Sequence, residues 1–190
     1  MTVAARGAPD PLRPWDSTAR EGVGLSRPSS RLRLRAVAFI EAPESAPDRA
    51  DALFDAIAPA GGEPIQRVQR LIVAAFDSAA RALAFASALP SELRAGLSVG
   101  DVLFEGDAIH GLPVIEASRL REKAQWGQIL CAADLVALAP EAATAFRSAG
   151  PTLLEGFAEA LETYECVSRR PSAREAAARG PRARAARAAS

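Results

Sequence analysis

Few side chains of this chain have the types and spacing that chemistry requires. His110 is the sole histidine, and it lies beside Gly111 without a neighbouring Ser, Cys or Asp arrangement that would make it a base, so an incidental role is expected. Glu116, Arg119 and Glu122 share one predicted helix; the two glutamates read as solvating charges, and Arg119 reads as a solvated or ion-paired surface residue. Cys131 and Cys166 are the only cysteines, too few and too far apart for a metal cluster or a disulfide framework. Gly61-Gly62 and Gly106 punctuate turns, since no GxGxxG or Walker pattern occurs anywhere. Trp126 is expected to anchor the loop before Gln128.

The elements that must position these residues interleave without a strict βαβ rhythm, which indicates a mixed α+β sheet with helices packed on it. Arg31–Glu41 alternates Arg31, Arg33 and Arg35 with Leu32 and Leu34 before turning apolar, as in a strand with an exposed first half and a central second half. The pattern predicts a helix over Arg49–Ala58 and a hairpin of Glu63–Val68 with Leu71–Phe76. Asp77 and Ser78 then cap a helix stopped by Pro90. Leu93–Gly100 and Asp101–Glu105 read as a strand pair, with Gly106-Asp107 as the following turn. A helix over Val114–Ala124, a strand at Gln128–Cys131, helical patches near Ala132–Leu138 and from Pro140, and a closing strand pair within Leu154–Cys166 complete the pattern.

The chain of 190 residues has 49% apolar and only 5% aromatic residues, enough for one core packed mainly by Ala, Leu and Val. Residues 1–30, with Pro9, Pro11, Pro14 and Pro28, read as a flexible leader, and 31–167 as the single domain. Residues 168–190 hold seven Arg against one Glu; the composition predicts a disordered basic tail, with a weak electrostatic arm for nucleic acid or anionic lipid as the sharper alternative. Two cysteines, read as reduced, and no apolar run near the ~20 residues of a bilayer span lead to the expectation of a cytoplasmic protein without a membrane span.

Four blocks in order carry a family resemblance: Leu71–Leu83 (LIVAAFDSAARAL), Leu93–Val102 (LRAGLSVGDV), Gly106–Leu120 (GDAIHGLPVIEASRL) and Leu154–Cys166 (LEGFAEALETYEC). Together they resemble the catalytic domain of class III adenylate or guanylate cyclases. The resemblance implies a ferredoxin-like, largely antiparallel sheet, and paired domains that share sites at their interface. In that family two carboxylates hold two magnesium ions. Here the first position is Glu41 and the second is Arg70, within Gln69-Arg70-Leu71 in place of glycine-aspartate-glycine. An arginine there would repel a dication by several kcal/mol at roughly 4 Å, and Arg70 becomes a candidate to pair with Glu41 in place of metal. Losing both glycines also implies a turn of changed shape.

By the same resemblance the purine-reading lysine falls on Gln66, the adenine-selecting aspartate on Ala108 (or Asp107 after a one-residue slip), and the ribose-orienting asparagine on Ile115. Only Arg119 matches, at the position of the arginine that neutralises charge on the α-phosphate. Pro43 and Pro47 shorten the first helix, which implies a more open pocket. The expectation is thus a degenerate cyclase homology domain without cyclase activity. It would act as a dimerising regulatory or binding module, as a homodimer or with another cyclase-type domain, with no cofactor and with ATP binding in doubt. The alternative is an active adenylate cyclase forming cyclic AMP and pyrophosphate from ATP with Mg or Mn at Glu41; a third reading is an interaction domain whose basic tail docks on nucleic acid.

Overall fold

A computed structural model of the chain describes residues 30–167. The leader expected at 1–30, Ser30 apart, and the tail expected at 168–190 lie outside the described residues. The elements run β1 (Arg31–Glu41), α1 (Asp48–Ile57), β2 (Gly62–Val68), β3 (Leu71–Phe76), α2 (Ala79–Ser87), β4 (Arg94–Glu105), β5 (Ala108–His110), α3 (Leu112–Lys123), β6 (Ile129–Ala132), α4 (Ala133–Ala137), β7 (Phe146–Thr152) and β8 (Leu161–Cys166), with a 3-10 turn at Ala142–Ala145 before β7. The sheet order is β2-β3-β1-β4-β6-β8-β7, with β5 paired to β4. β4 and β6 run parallel while the other pairings are antiparallel. This is the mixed, largely antiparallel α+β architecture that the sequence predicts.

Side-chain alternation sorts the central strands into two cores. Ala36, Ala38 and Ile40 of β1 join Ile72, Ala74 and Phe76 of β3 and Leu97 of β4 in the larger one, with Leu53, Ile57 and Leu83 of the helices on that face. Val37, Val73 and Val102 point the other way, against Ala117 of α3. Alanine recurs in the larger core and Ala117 is the contact of α3 in the other, so helix and sheet approach closely. The limit is reached at Gly96: a Cβ there would lie 2.2 Å from both the Ala117 carbonyl oxygen and the Arg121 backbone nitrogen. Glycine at that point of β4 is what lets α3 lie down on the sheet.

Several expected elements are corrected. Leu93–Gly100 and Asp101–Glu105 are not a strand pair but one strand, β4, because its residues pair with β1 without interruption from Arg94 to Phe104; the hairpin partner after Gly106-Asp107 is β5. The closing pair is β7 with β8, so β7 begins well before Leu154, and Leu154 itself is a buried anchor of the connecting loop. The helix expected from Pro140 is only the 3-10 turn. Asp77 and Ser78 precede α2 without a side-chain cap; Asp77 instead takes Arg81 of α2 at 2.9 Å.

Two outcomes test this packing. Gly96→Ala should cost about 3 kcal/mol in denaturant unfolding, since the clash is with backbone that has no rotamer to yield; a loss below about 1 kcal/mol would mean that α3 is not seated as described. Cys131 is buried and burial pushes its thiol up to about 12, with Cys166 adding to the rise. Thiolate is the reacting species, so at pH 8 iodoacetamide should label Cys131 at least roughly a hundredfold more slowly in the native chain than in urea, as read by peptide mass spectrometry.

Candidate functional site

The first-carboxylate position, Glu41, ends β1 directly opposite Arg94, the first residue of β4. Arg94 donates to Glu41 Oε2 through Nε at 3.0 Å and through Nη2 at 2.8 Å. Its guanidinium carbon lies 4.5 Å from the Trp126 ring centroid, a cation–π contact that holds the group over the loop before β6. From α3, Arg121 Nη1 donates to the same oxygen at 2.9 Å. Glu41 is 13% exposed, Arg121 15% and Arg94 23%, so the cluster is largely withdrawn from water. The seat of α3 on Gly96 fixes the backbone nitrogen of Arg121 beside β4, and so brings its side chain within reach of Glu41.

Arg70 does not pair with Glu41. It occupies the two-residue β2–β3 turn, where Val68 pairs with Leu71 and Gln69 takes a left-handed φ of 53°. The left-handed position of this turn is thus held by Gln69 and not by a glycine. From there Arg70 Nη1 donates to the Ala42 carbonyl at 3.3 Å, and Nη2 donates to Glu44 at 3.2 Å. The β1–α1 loop, carrying Pro43 and Glu44, folds toward this turn and supplies the nearer partner.

These residues surround an open cleft of about 630 Å³ lined by Glu41, Glu44, Arg70, Glu92, Arg94 and Trp126 among others. Its charges are paired off: Glu41 with Arg94, Glu44 with Arg70, and Glu92 with Arg49 at 3.4 Å. Glu92 Oε2 is buried without a hydrogen-bond partner, but a magnesium or manganese ion needs several oxygen donors around it. Among the described residues no three of His, Cys, Asp or Glu stand together as a metal-ligand set. The residues do not fit the two-metal centre that the resemblance implies.

The positions at which the resemblance implies base reading form a separate place. Gln66 and Ala108 line a mainly apolar cavity of about 170 Å³ with Phe39, Ile65, Ile109 and Val114. Asp107 is exposed in the β4–β5 turn and is not among the residues that line the cavity. Ile115 is 52% exposed on α3. One turn further, Arg119 takes Glu122 at 2.7 Å and Glu155 at 3.7 Å; the hydrogen bond to Glu122 is the main reason its guanidinium is held above the ordinary range. Glu116 accepts from the buried Ser98 hydroxyl, a packing role that replaces the solvating one expected for it. His110 lies 3.8 Å from Glu105 on exposed surface.

Sequence reasoning missed Arg94 and Arg121 as partners of Glu41. They are 53 and 80 residues away from it, and only the β1–β4 register and the α3 contact bring them in. The available signal was the Arg-x-Gly step Arg94-Ala95-Gly96, whose glycine marks close packing and whose arginine starts the strand beside the Glu41 end of β1.

Solved structures resemble the chain in fold. An adenylate/guanylate cyclase/hydrolase from Silicibacter pomeroyi superposes with a TM-score of 0.61 at 20% identity, over 73% of this chain and 98% of that one. The adenylyl cyclase CyaB from P. aeruginosa gives a TM-score of 0.58 at 18% identity, over 74% and 97%. Adenylate cyclases from Trypanosoma brucei in their monomeric state include one at a TM-score of 0.62 and 13% identity, over 71% and 88%. No family model matches the chain, and no curated protein matches it in sequence. With these identities the likeness is one of architecture, and the chain has the fold of adenylate and guanylate cyclase catalytic domains.

Proposed function

We propose that this chain is a degenerate class III nucleotide cyclase homology domain without cyclase activity, serving as a dimerising regulatory or binding module in cyclic-nucleotide signalling in the cytoplasm. The observation that carries the reading is the commitment of Glu41 Oε2 to Arg94 and Arg121. Two guanidinium groups take Oε2 at 2.8–2.9 Å, and their positive charges oppose a dication at either oxygen of the carboxylate. Arg70 adds a third positive charge at the second ligand position, and would repel a dication there. The mainly apolar surroundings of Gln66 and Ala108 and the bare Ile115 offer few polar groups to a purine or a ribose.

The dimerising part of the reading draws support from apolar surface near that cavity. Val68, Leu112 and Ile115 are 52–59% exposed, and Val68 also lines the cavity, the kind of surface that a partner covers. A second copy or another cyclase-type domain is the partner proposed. Among the described residues no helix is long and apolar enough to cross a membrane, which is compatible with that setting.

Three measurements test the reading. Purified chain incubated with ATP or GTP and excess manganese should form no cyclic nucleotide; formation of cyclic AMP and pyrophosphate at a rate abolished by Glu41→Ala would establish the active-cyclase alternative instead. Glu41→Ala should lower stability by about 3 kcal/mol, because it strands two largely buried arginines beside each other; unchanged or raised stability would mean that the carboxylate was waiting for a cation. Ile115→Asp should weaken self-association, or pairing with a cyclase-type partner, at least roughly tenfold in sedimentation equilibrium, and an unaltered dimer would move the interface elsewhere.

A further inference from the structure

β1 outruns the sheet on one side. β4 pairs with it from Arg31 to Glu41, whereas β3 pairs only from Ala36 to Glu41. Over Arg31–Arg35, therefore, the edge of β1 away from β4 has no strand partner among the described residues. Alternation puts Arg31, Arg33 and Arg35 on the face shared with Val37 and Phe39, and Leu32 and Leu34 on the opposite face. Leu32 is 65% exposed and Leu34 59%. Arg35 lies 5.9 Å from the Phe104 ring centroid, while Arg31 and Arg33 have no carboxylate partner among the described residues.

An unpaired strand edge is a template for another strand, and proteins usually blunt it. The outer strands of this sheet do so: β2 carries Pro64 with a register shift beside it, and β7 carries Pro151 and a shift between Ser148 and Gly150. The overhang of β1 has no proline and no bulge, only a row of arginines that filters what may pair with it. We propose that Arg31–Arg35 is a docking edge for an extended segment of another protein that alternates acidic and apolar residues. Backbone hydrogen bonds along the edge supply affinity, and alternate side chains supply specificity: carboxylates face the arginines, and apolar groups cover Leu32 and Leu34.

Charge argues against the other occupants. In-register pairing with a second copy sets arginine against arginine, which is destabilising at the roughly 5 Å between cross-strand neighbours. Residues 168–190, with seven Arg and one Glu, are repelled by the same row. Residues 1–29 contain no run that alternates acidic and apolar side chains.

The test uses the full chain and labelled heptapeptides in fluorescence anisotropy at low salt. An alternating glutamate–valine peptide should bind saturably. The lysine–valine counterpart should not, and N-methylation of alternate peptide amides should weaken binding at least roughly tenfold, since it removes edge hydrogen bonds. Arg31→Glu/Arg33→Glu, at exposed positions that leave the core untouched, should reverse the preference toward the lysine peptide. Equal binding of both peptides, no saturation up to millimolar peptide, or full binding of the N-methylated form overturns the proposal. So does hydrogen-exchange protection of the outward amides of Arg31–Arg35 without peptide: at all concentrations it would indicate the chain's own segment, and only at high concentration a second copy.

Discussion

Glu41 Oε2 accepts from Arg94 at 2.8 Å and from Arg121 at 2.9 Å, and this convergence ties together the ends of β1 and β4 with the helix that crosses them. Each partner arrives by a different constraint. Arg94 comes by strand register, directly across the ladder; Arg121 comes because Gly96 lets α3 settle onto the sheet. Two positive groups around one carboxylate leave a net positive charge in a withdrawn place. That is sustained because Trp126 stacks on Arg94 and Glu122 accepts from Arg121 at 3.4 Å. A charge cluster of this kind is costly to desolvate and costly to break, so it defines the local structure more than it adds to net stability.

The same cluster sets the electrostatics of the cleft. In two-metal phosphoryl chemistry the carboxylates are held apart and left hungry for cations. Here each lining carboxylate has an arginine, Glu44 with Arg70 and Glu92 with Arg49 included. The carboxylates of the cleft wall thus have arginines as their counter-charges. The fold shared with nucleotide cyclases rests on the apolar contacts of both sheet faces and not on the cleft.

Much of the architecture was legible because it depends on local pattern. The alternation in β1, the doubly apolar run of β3, the Gly106-Asp107 turn and the amphipathic helices state their own conformation. What failed was long-range or depended on continuity. Gly100-Asp101 looks like a turn in isolation, yet β1 is long enough to pair straight through it. Phe146–Thr152, with Gly150 and Pro151, lacks the alternation of a strand and forms one only because β8 lies beside it. At the cleft, the residue types at the Glu41 and Arg70 positions predict arginine–carboxylate pairing. The partners did not follow from them: Arg70 had a nearer carboxylate in Glu44, and Arg121 could be found only through the packing of α3.

Manganese binding followed by electron paramagnetic resonance, on the intact chain and on Glu41→Ala, tests the central claim most directly. If the protein's arginines have taken the cations' place, neither chain shows a saturable manganese site at submillimolar metal. One or two saturable sites in the intact chain, lost in Glu41→Ala, would contradict the account.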